Sequence, residues 1–333
     1  MVTFPARIGL GLVLRGAAAL AVVLGLLVWW LLPVGASSPK GSVTFSTGVT
    51  TGVYQRYGTL LREDLARDLP NVSVKLRDSQ GSQENLARVA SGKADFTIAT
   101  ADAVAEYQKD GEPGADLLRG CARLYDDYVQ LIAAKSSDIR SAADLRGRTV
   151  GVGQERSGVR LIANRVMTAA GLDPRKSITP ISAGIDTMPK LLEEGKLDAF
   201  FWSGGLPTGA VQDLSQRFAI RLVPLEPALI SRLHASGEAA SRYYRAATIP
   251  ADAYGKAQDN TAVSTVAVAN LLVTTERTDP GLVEGFTRTV IRSRDRIGDV
   301  VHPAQLVDLR TAIYTDPLPL HKGAMRYYQT AKP

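Results

Sequence analysis

Apolar residues alternate with polar ones at Val43 and Phe45, then switch to helical spacing at Tyr54, Tyr57, Leu61 and Leu65, ahead of Pro70. This pattern predicts a strand over 41–48 that ends in a loop, and a helix over 53–68. Val72, Val74 and Leu76 alternate as a second strand, and Ser79–Ser82 lead into a helix over 83–91 closed by Gly92. Phe96, Ile98 and Ala99 make a third strand, with Asp102 placed to cap a helix over 103–109. Strand, helix, strand, helix, strand is the rhythm of a mostly parallel sheet with helices on its faces.

The run Leu124, Tyr125, Val129, Leu131, Ile132 predicts strand within 117–134, and a second series of the same grammar comes after it. It comprises a strand over 148–153, a helix over 158–170 ended by Gly171, a strand near 178–181, a helix over 185–194 and a strand over 197–202. Both series pass from helix to strand through a Gly-Lys turn, Gly92-Lys93 and Gly195-Lys196, with an acid leading the strand. The apolar, β-branched run Val263–Thr275 predicts one or two buried strands, and helices are expected at 280–297, at 303–313 and from near His321. The expected architecture is α/β with two lobes of like construction: 40–136 plus 251–333 as the first, and 137–250 as the second.

Before this lies a segment of different composition. Gly16–Ala36 contains 21 uncharged residues, with Arg7 and Arg15 ahead of it and Trp29 and Trp30 near its end. Such a stretch is long enough to span the hydrocarbon core, and the leading arginines favour export of the chain beyond it. Residues 1–39 are therefore expected to be a signal peptide or a retained membrane anchor; Pro33, Gly35 and Ala36 keep cleavage open.

Composition narrows the chemistry. The formal net charge of +6 is scattered, which argues against a nucleic-acid surface. One cysteine excludes an intramolecular disulfide and a cysteine-rich metal site, and His234, His302 and His321 are far apart. No Gly-x-Ser-x-Gly elbow is present, Asp126-Asp127 reads as a polar rim or loop pair, and Cys121 as a small core residue. The expectation is a protein without catalytic residues, metal or cofactor.

The loops carry the binding chemistry instead. Ser46, Thr47, Thr50, Thr51 and Gly52 lie between strand and helix, where free N–H groups and hydroxyls can hold an anion, and Tyr54 opens the helix. No Lys-Ser or Lys-Thr closes this loop as a nucleotide site requires. Ser82 and Asn85, Thr100 and Asp102, Arg156, Ser157 and Gly158, and Trp202, Gly204 and Gly205 occupy corresponding loops. All fall beyond the C-terminal ends of expected strands, where open α/β sheets bind ligands.

Taken in order, the motifs resemble the TAXI family, solute receptors of tripartite ATP-independent periplasmic (TRAP) transporters. The resemblance rests on Thr47, Gly48, Thr50, Gly52, Tyr54 and Gly58; on Gly81, Ser82, Glu84, Asn85 and Leu86; and on Gly92, Ala94 and Asp95. It continues through Asp144, Leu145, Gly147, Val150, Val152 and Gly153, then Gly204, Gly205 and Pro207. It closes on Pro319, Leu320, His321, Gly323, Ala324, Tyr327 and Tyr328, covering about residues 43–330.

The resemblance implies a type II periplasmic-binding-protein-like fold that closes on a small organic anion or amino acid such as glutamate or glutamine. It further implies TRAP permease subunits as partners, and the receptor is expected to be monomeric. A membrane-anchored sensor or interaction module is the alternative class, and an enzyme on the same scaffold a further one. The chain departs from the family pattern at Val49 and Thr51, at Thr100-Ala101 and at Arg156, which stand in place of more usual glycines or polar residues. Arg156 either grips a ligand carboxylate or points outward beside Glu155, with Arg77 and Arg123 as rival anchors.

Overall fold

The computed structural model describes residues 20–24 and 39–331. Residues 20–24 are helical; the rest of the apolar stretch, and with it the choice between signal and anchor, lies outside the described residues. Among the described residues, no helix is long and apolar enough to cross a membrane. Residues from Pro39 onward form one compact unit.

The first series folds largely as its periodicity dictates. Strands β1 (Gly41–Ser46), β2 (Val72–Arg77) and β3 (Phe96–Thr100) alternate with helices α1 (Val53–Asp68), α2 (Ser82–Ala90) and α3 (Ala101–Lys109). β1 pairs in parallel with both β2 and β3. Asp102 does not cap α3: Thr100 holds that position, and the Asp102 carboxylate is turned inward to accept a hydrogen bond from the Tyr244 hydroxyl at 2.7 Å.

Next comes β4 (Leu118–Ala134), a single strand of 17 residues. The second series is β5 (Thr149–Gly151), α4 (Gly158–Ala169), β6 (Thr179–Ile181), α5 (Met188–Glu193) and β7 (Ala199–Gly204). The stretch 205–262, for which the apolar pattern gave no expectation, adds α6 (Gly209–Arg217), β8 (Ile220–Val223), α7 (Pro227–Ala235) and β9 (Tyr244–Ile249). The run at 263–275 is one strand, β10 (Val263–Thr275).

After it, the helix expected over 280–297 is interrupted at Ser293, giving α8 (Pro280–Arg292) and α9 (Arg294–Gly298). The helix expected over 303–313 is instead a 3-10 turn, His302–Leu306, and a single turn, α10 (Leu309–Ala312). The chain ends on α11 (Lys322–Thr330).

The sheet is mixed rather than mostly parallel. Its order is β2-β1-β3-β10-β4-β7-β5-β6, with β8 on β4 and β9 on β10. Both long strands run antiparallel to their partners. Their length lets them enter separate apolar cores. Cys121, Leu124 and Tyr125 of β4 and Leu272 of β10 pack with Phe45, Phe96 and Phe286. Val129, Leu131 and Ile132 of β4 and Val266 and Val268 of β10 pack with Ile162, Val166 and Phe200. A third cluster joins Leu86, Val89 and Val104 to Leu271 and Val273.

The C-terminal motif is a packing device. His321 is buried and caps α11, its Nδ1 accepting the Gly323 N–H at 3.0 Å. Gly323 lies against the Pro280 carbonyl and the Glu284 N–H of α8, so close that a Cβ would meet backbone rather than a side chain able to swing away. Gly323→Ala must therefore push α11 from α8. The expected cost is about 1–3 kcal/mol of unfolding free energy, read from the urea midpoint at unchanged slope.

Candidate ligand-binding site

Loops from the two series converge on one cavity, whose void including its mouth is about 600 Å³. On one side it is lined by Gly48, Gly52, Tyr54, Gly81, Ser82 and Thr100; on the other by Gly153, Gln154, Ser157, Gly158, Trp202 and Gly204. Asp127 of β4 also faces it.

Several of the polar groups are positioned by the start of a helix or the end of a strand. Tyr54, in the first turn of α1, directs its hydroxyl to Asn270 Oδ1 at 2.5 Å and lies 3.1 Å from Ser82 Oγ. Ser82 Oγ accepts the Thr100 N–H at 3.2 Å. Ser157 caps α4, accepting the Arg160 N–H at 3.1 Å and donating to the Gln154 carbonyl at 2.6 Å. Trp202 donates through Nε1 to Thr208 Oγ1 at 3.0 Å. Its ring covers the Gly204 α-carbon so closely that a Cβ there would collide with the indole.

The loops touch across the crevice. Gln83 Nε2 donates to the Ser157 carbonyl at 2.8 Å, the Glu84 N–H donates to the Arg156 carbonyl at 3.1 Å, and the Arg156 N–H donates to Gln80 Oε1 at 3.1 Å. Gly158 is needed in this contact, since a Cβ would stand 3.1 Å from Ser82 Oγ and 3.2 Å from Thr100 Oγ1. A second bridge is charged. Arg165 of α4 meets Glu106 of α3 at 2.7 Å, Glu238 at 2.9 Å and the Tyr244 hydroxyl at 2.9 Å, with Asp102 at 3.6 Å.

Eight of the residues singled out by sequence thus share the cavity: Gly52, Tyr54, Ser82, Thr100, Ser157, Gly158, Trp202 and Gly204. The others lie elsewhere. Thr50, Thr51 and Gly205 line a neighbouring, more open groove with Thr208 and Pro303. Thr47 is buried and ties β1 to β2 through its hydrogen bond to the Arg77 carbonyl. Asn85 is fully buried and bonds Ser46 and the carbonyls of Thr47 and Ile98, so it braces the loops. Asp102 belongs to the Arg165 cluster.

None of the three candidate arginines lines the cavity. Arg156 and Arg77 are exposed, and Arg123 is paired with Asp126 at 2.6 Å.

Asp127 was not anticipated as a lining residue, and Gln154 and Ser203, though within loops the sequence placed at the crevice, were not named as ligand contacts. Asp126 and Asp127 do point differently, but they form neither a rim nor a loop. Asp126 pairs with Arg123 and Arg245, while Asp127 is 3% exposed and accepts from Asn270 Nδ2 at 2.7 Å. The available signal was an acid set between apolar Leu124-Tyr125 and apolar Val129 and Leu131 of β4, on a strand long enough to be covered. Burial pushes the Asp127 carboxyl up to about 7; nearby Asp126 and Asp102 add to the rise and the Asn270 bond opposes it. Among the described residues, Thr100 Oγ1, Gln154 Oε1 and Ser203 Oγ are buried in the lining without a hydrogen-bond partner.

A family model matches residues 45–331. The chain belongs to the NMT1-like family. Solved structures resemble this NMT1-like protein in fold, at low identity. A putative L-cystine ABC transporter protein from Listeria monocytogenes is 13% identical, with a TM-score of 0.51 over 80% of this chain and 98% of its own. An ancestral arginine-binding protein solved with arginine is 15% identical, with a TM-score of 0.51 over 79% of this chain and 98% of its own. A protein of Bordetella bronchiseptica RB50 is 17% identical, with a TM-score of 0.51 over 88% and 90%. The NMT1-like chain thus has the α/β periplasmic-binding-protein fold expected from its sequence.

The raised Asp127 carboxyl sets a pH dependence for the empty protein. The stability its neutral form confers is complete below the ordinary value of 3.8 and is lost as pH rises through about 7. Asp127→Asn keeps the oxygen that accepts from Asn270 and removes the buried charge. Thermal melts without ligand should show the variant several degrees more stable than the parent at pH 8, with the difference closing by pH 4.

Proposed function

We propose that the protein is an extracytoplasmic solute receptor that encloses a small organic molecule and delivers it to a membrane permease, without transforming it. The observation that carries this reading is the cavity itself. It has helix starts, hydroxyls and an amide converging from two structural series, and buried polar atoms left without partners on both of its walls. Among the described residues its lining holds no cysteine, histidine or lysine to act as a nucleophile or base. The family and the fold accord with this reading, since the similar structures include an arginine-binding protein and a putative cystine transporter protein.

Within it, residues 40–136 with 251–333 act as one lobe and 137–250 as the other, apart from the parts of β4 and β10 at 129–132 and 266–268 that pack with the second core, and the solute favours their closed arrangement. The ordered motifs from Thr47 to Tyr328 support a TAXI-type receptor with TRAP permease subunits as its partners. The apolar stretch before residue 39 serves export, as a cleaved signal or as an anchor that keeps the receptor beside its permease.

Mass spectrometry of small molecules released by denaturing the purified full-length chain tests the receptor reading. One solute per chain, chemically unchanged after prolonged incubation with the protein, is expected; turnover of that solute overturns the reading. Gly158→Val gives the structural counterpart. The added side chain meets Ser82 and Thr100 across the crevice, so affinity for the released solute should fall by at least about tenfold in calorimetric titration. Circular dichroism should stay unchanged, because the substitution lies at a half-buried helix start outside the apolar cores.

A further inference from the structure

We infer that the solute carries a protonated amine, which sits on the carboxylate of Asp127, and that the rest of it is small and largely apolar. The inference rests on the receptor reading and names the ligand class of the same cavity. Its first support is an imbalance of charge. Among the described residues, Asp127 is the one acidic side chain lining the cavity, and no lysine, arginine or histidine lines it with Asp127. Arginines around the site are engaged elsewhere: Arg123 and Arg245 pair with Asp126, Arg165 with Glu106 and Glu238, and Arg160 donates to the Gly153 carbonyl.

The groups that act on Asp127 make the imbalance larger. Asp126 on its own strand and Asp102 on α3 are acids, and Tyr54 on α1 and Tyr125 on β4 are neutral phenols whose ionisation Asp127 opposes. Asn270 on β10 supplies its one neutral donor. A carboxylate so buried is costly unless a cation meets it. Near neutral pH the empty protein relieves the strain by taking up a proton, and an ammonium group relieves it by pairing. The arriving cation displaces the proton, so binding weakens as pH falls below about 7.

The remaining walls describe the remainder of the solute. Val49, Val53, Val159, Ala183 and Met188 offer hydrocarbon, with Trp202 beside them. Thr100 Oγ1 and Ser203 Oγ, both on residues more than nine-tenths buried, are unpartnered hydroxyls able to donate to one carboxylate or carbonyl. A dicarboxylate would bring two negative charges to a lining that already holds the Asp127 carboxyl and has no basic side chain. An apolar amino acid or a short alkylamine fits, and glutamate-like anions do not.

Calorimetric titration of the full-length chain in detergent with four probes decides the matter: L-valine, isobutylamine, 3-methylbutanoate and succinate. L-Valine and isobutylamine are expected to bind at pH 7.5, and the two carboxylates lacking an amine to bind at least about tenfold more weakly. Asp127→Asn should weaken both amines by about tenfold or more while remaining folded, and Asp126→Asn should leave them within about twofold. L-Valine affinity should also fall from pH 7.5 to pH 5.5. Tight binding of 3-methylbutanoate or succinate overturns the inference, as does an Asp127→Asn protein that keeps L-valine affinity. Silence from all four probes also overturns it for this amine class, whereas the receptor reading is judged separately by the solute released on denaturation.

Discussion

The pairing of β4 with β10 is the constraint on which the rest of the structure depends. Every other strand is attached to one of these two or to a strand that is: β3 and β9 to β10, β7 and β8 to β4, and the remainder through β3 and β7. The two strands also supply side chains to separate apolar cores, switching allegiance along their length. The loops that build the cavity are therefore not held by one another alone. A shared hydrogen-bonded ladder sets the distance between them, and it places the strand ends so that the loops can meet.

Where the loops meet, the contacts have two characters. Those beside the cavity use backbone carbonyls and N–H groups of Arg156, Ser157 and Glu84, with the amides of Gln80 and Gln83. They depend on loop shape more than on side-chain identity. The Arg165 cluster depends on side chains entirely, because a guanidinium that is 9% exposed answers three carboxylates and a tyrosine. A buried group of this kind gives limited net stability, but loss of one member leaves its partners uncompensated. It fixes how α3 and α4 lie against each other.

Much of this was legible in the sequence. Helix α1 is readable from the spacing of Tyr57, Leu61 and Leu65, and the ends of α2 and α4 from Gly92 and Gly171, both with positive φ. The loops were found because hydroxyls and glycines stand between elements of changing period. What escaped was whatever depends on partners distant in the chain. Asp127 reads as a surface acid until β4 is known to be covered on both sides. Asp102 reads as a cap until Tyr244, 142 positions later, claims it. Arg156 is conspicuous as a charge, yet the loop uses its backbone and leaves the guanidinium outside. The mixed sheet escaped for a related reason, since β10 enters between β3 and β4 only after the second series is complete.

The ladder between β4 and β10 is not perfectly regular. Asn270 faces both Leu124 and Tyr125, and a further residue of β4 is left over between the pairs Leu272–Ala122 and Val273–Gly120. Each such extra residue bends the strand and reverses which side its successors face. Asn270, at the first irregularity, bonds both Tyr54 and Asp127. This fixes how such a protein can diverge. Lengthening or shortening the crossing by one residue would turn Asp127 and its successors to the wrong face, whereas the loop tips Thr50-Thr51 and Glu155-Arg156 are exposed and free to change. Descendants of this chain can acquire new specificities at the corners of the frame, but the two spars between those corners have no free length to give.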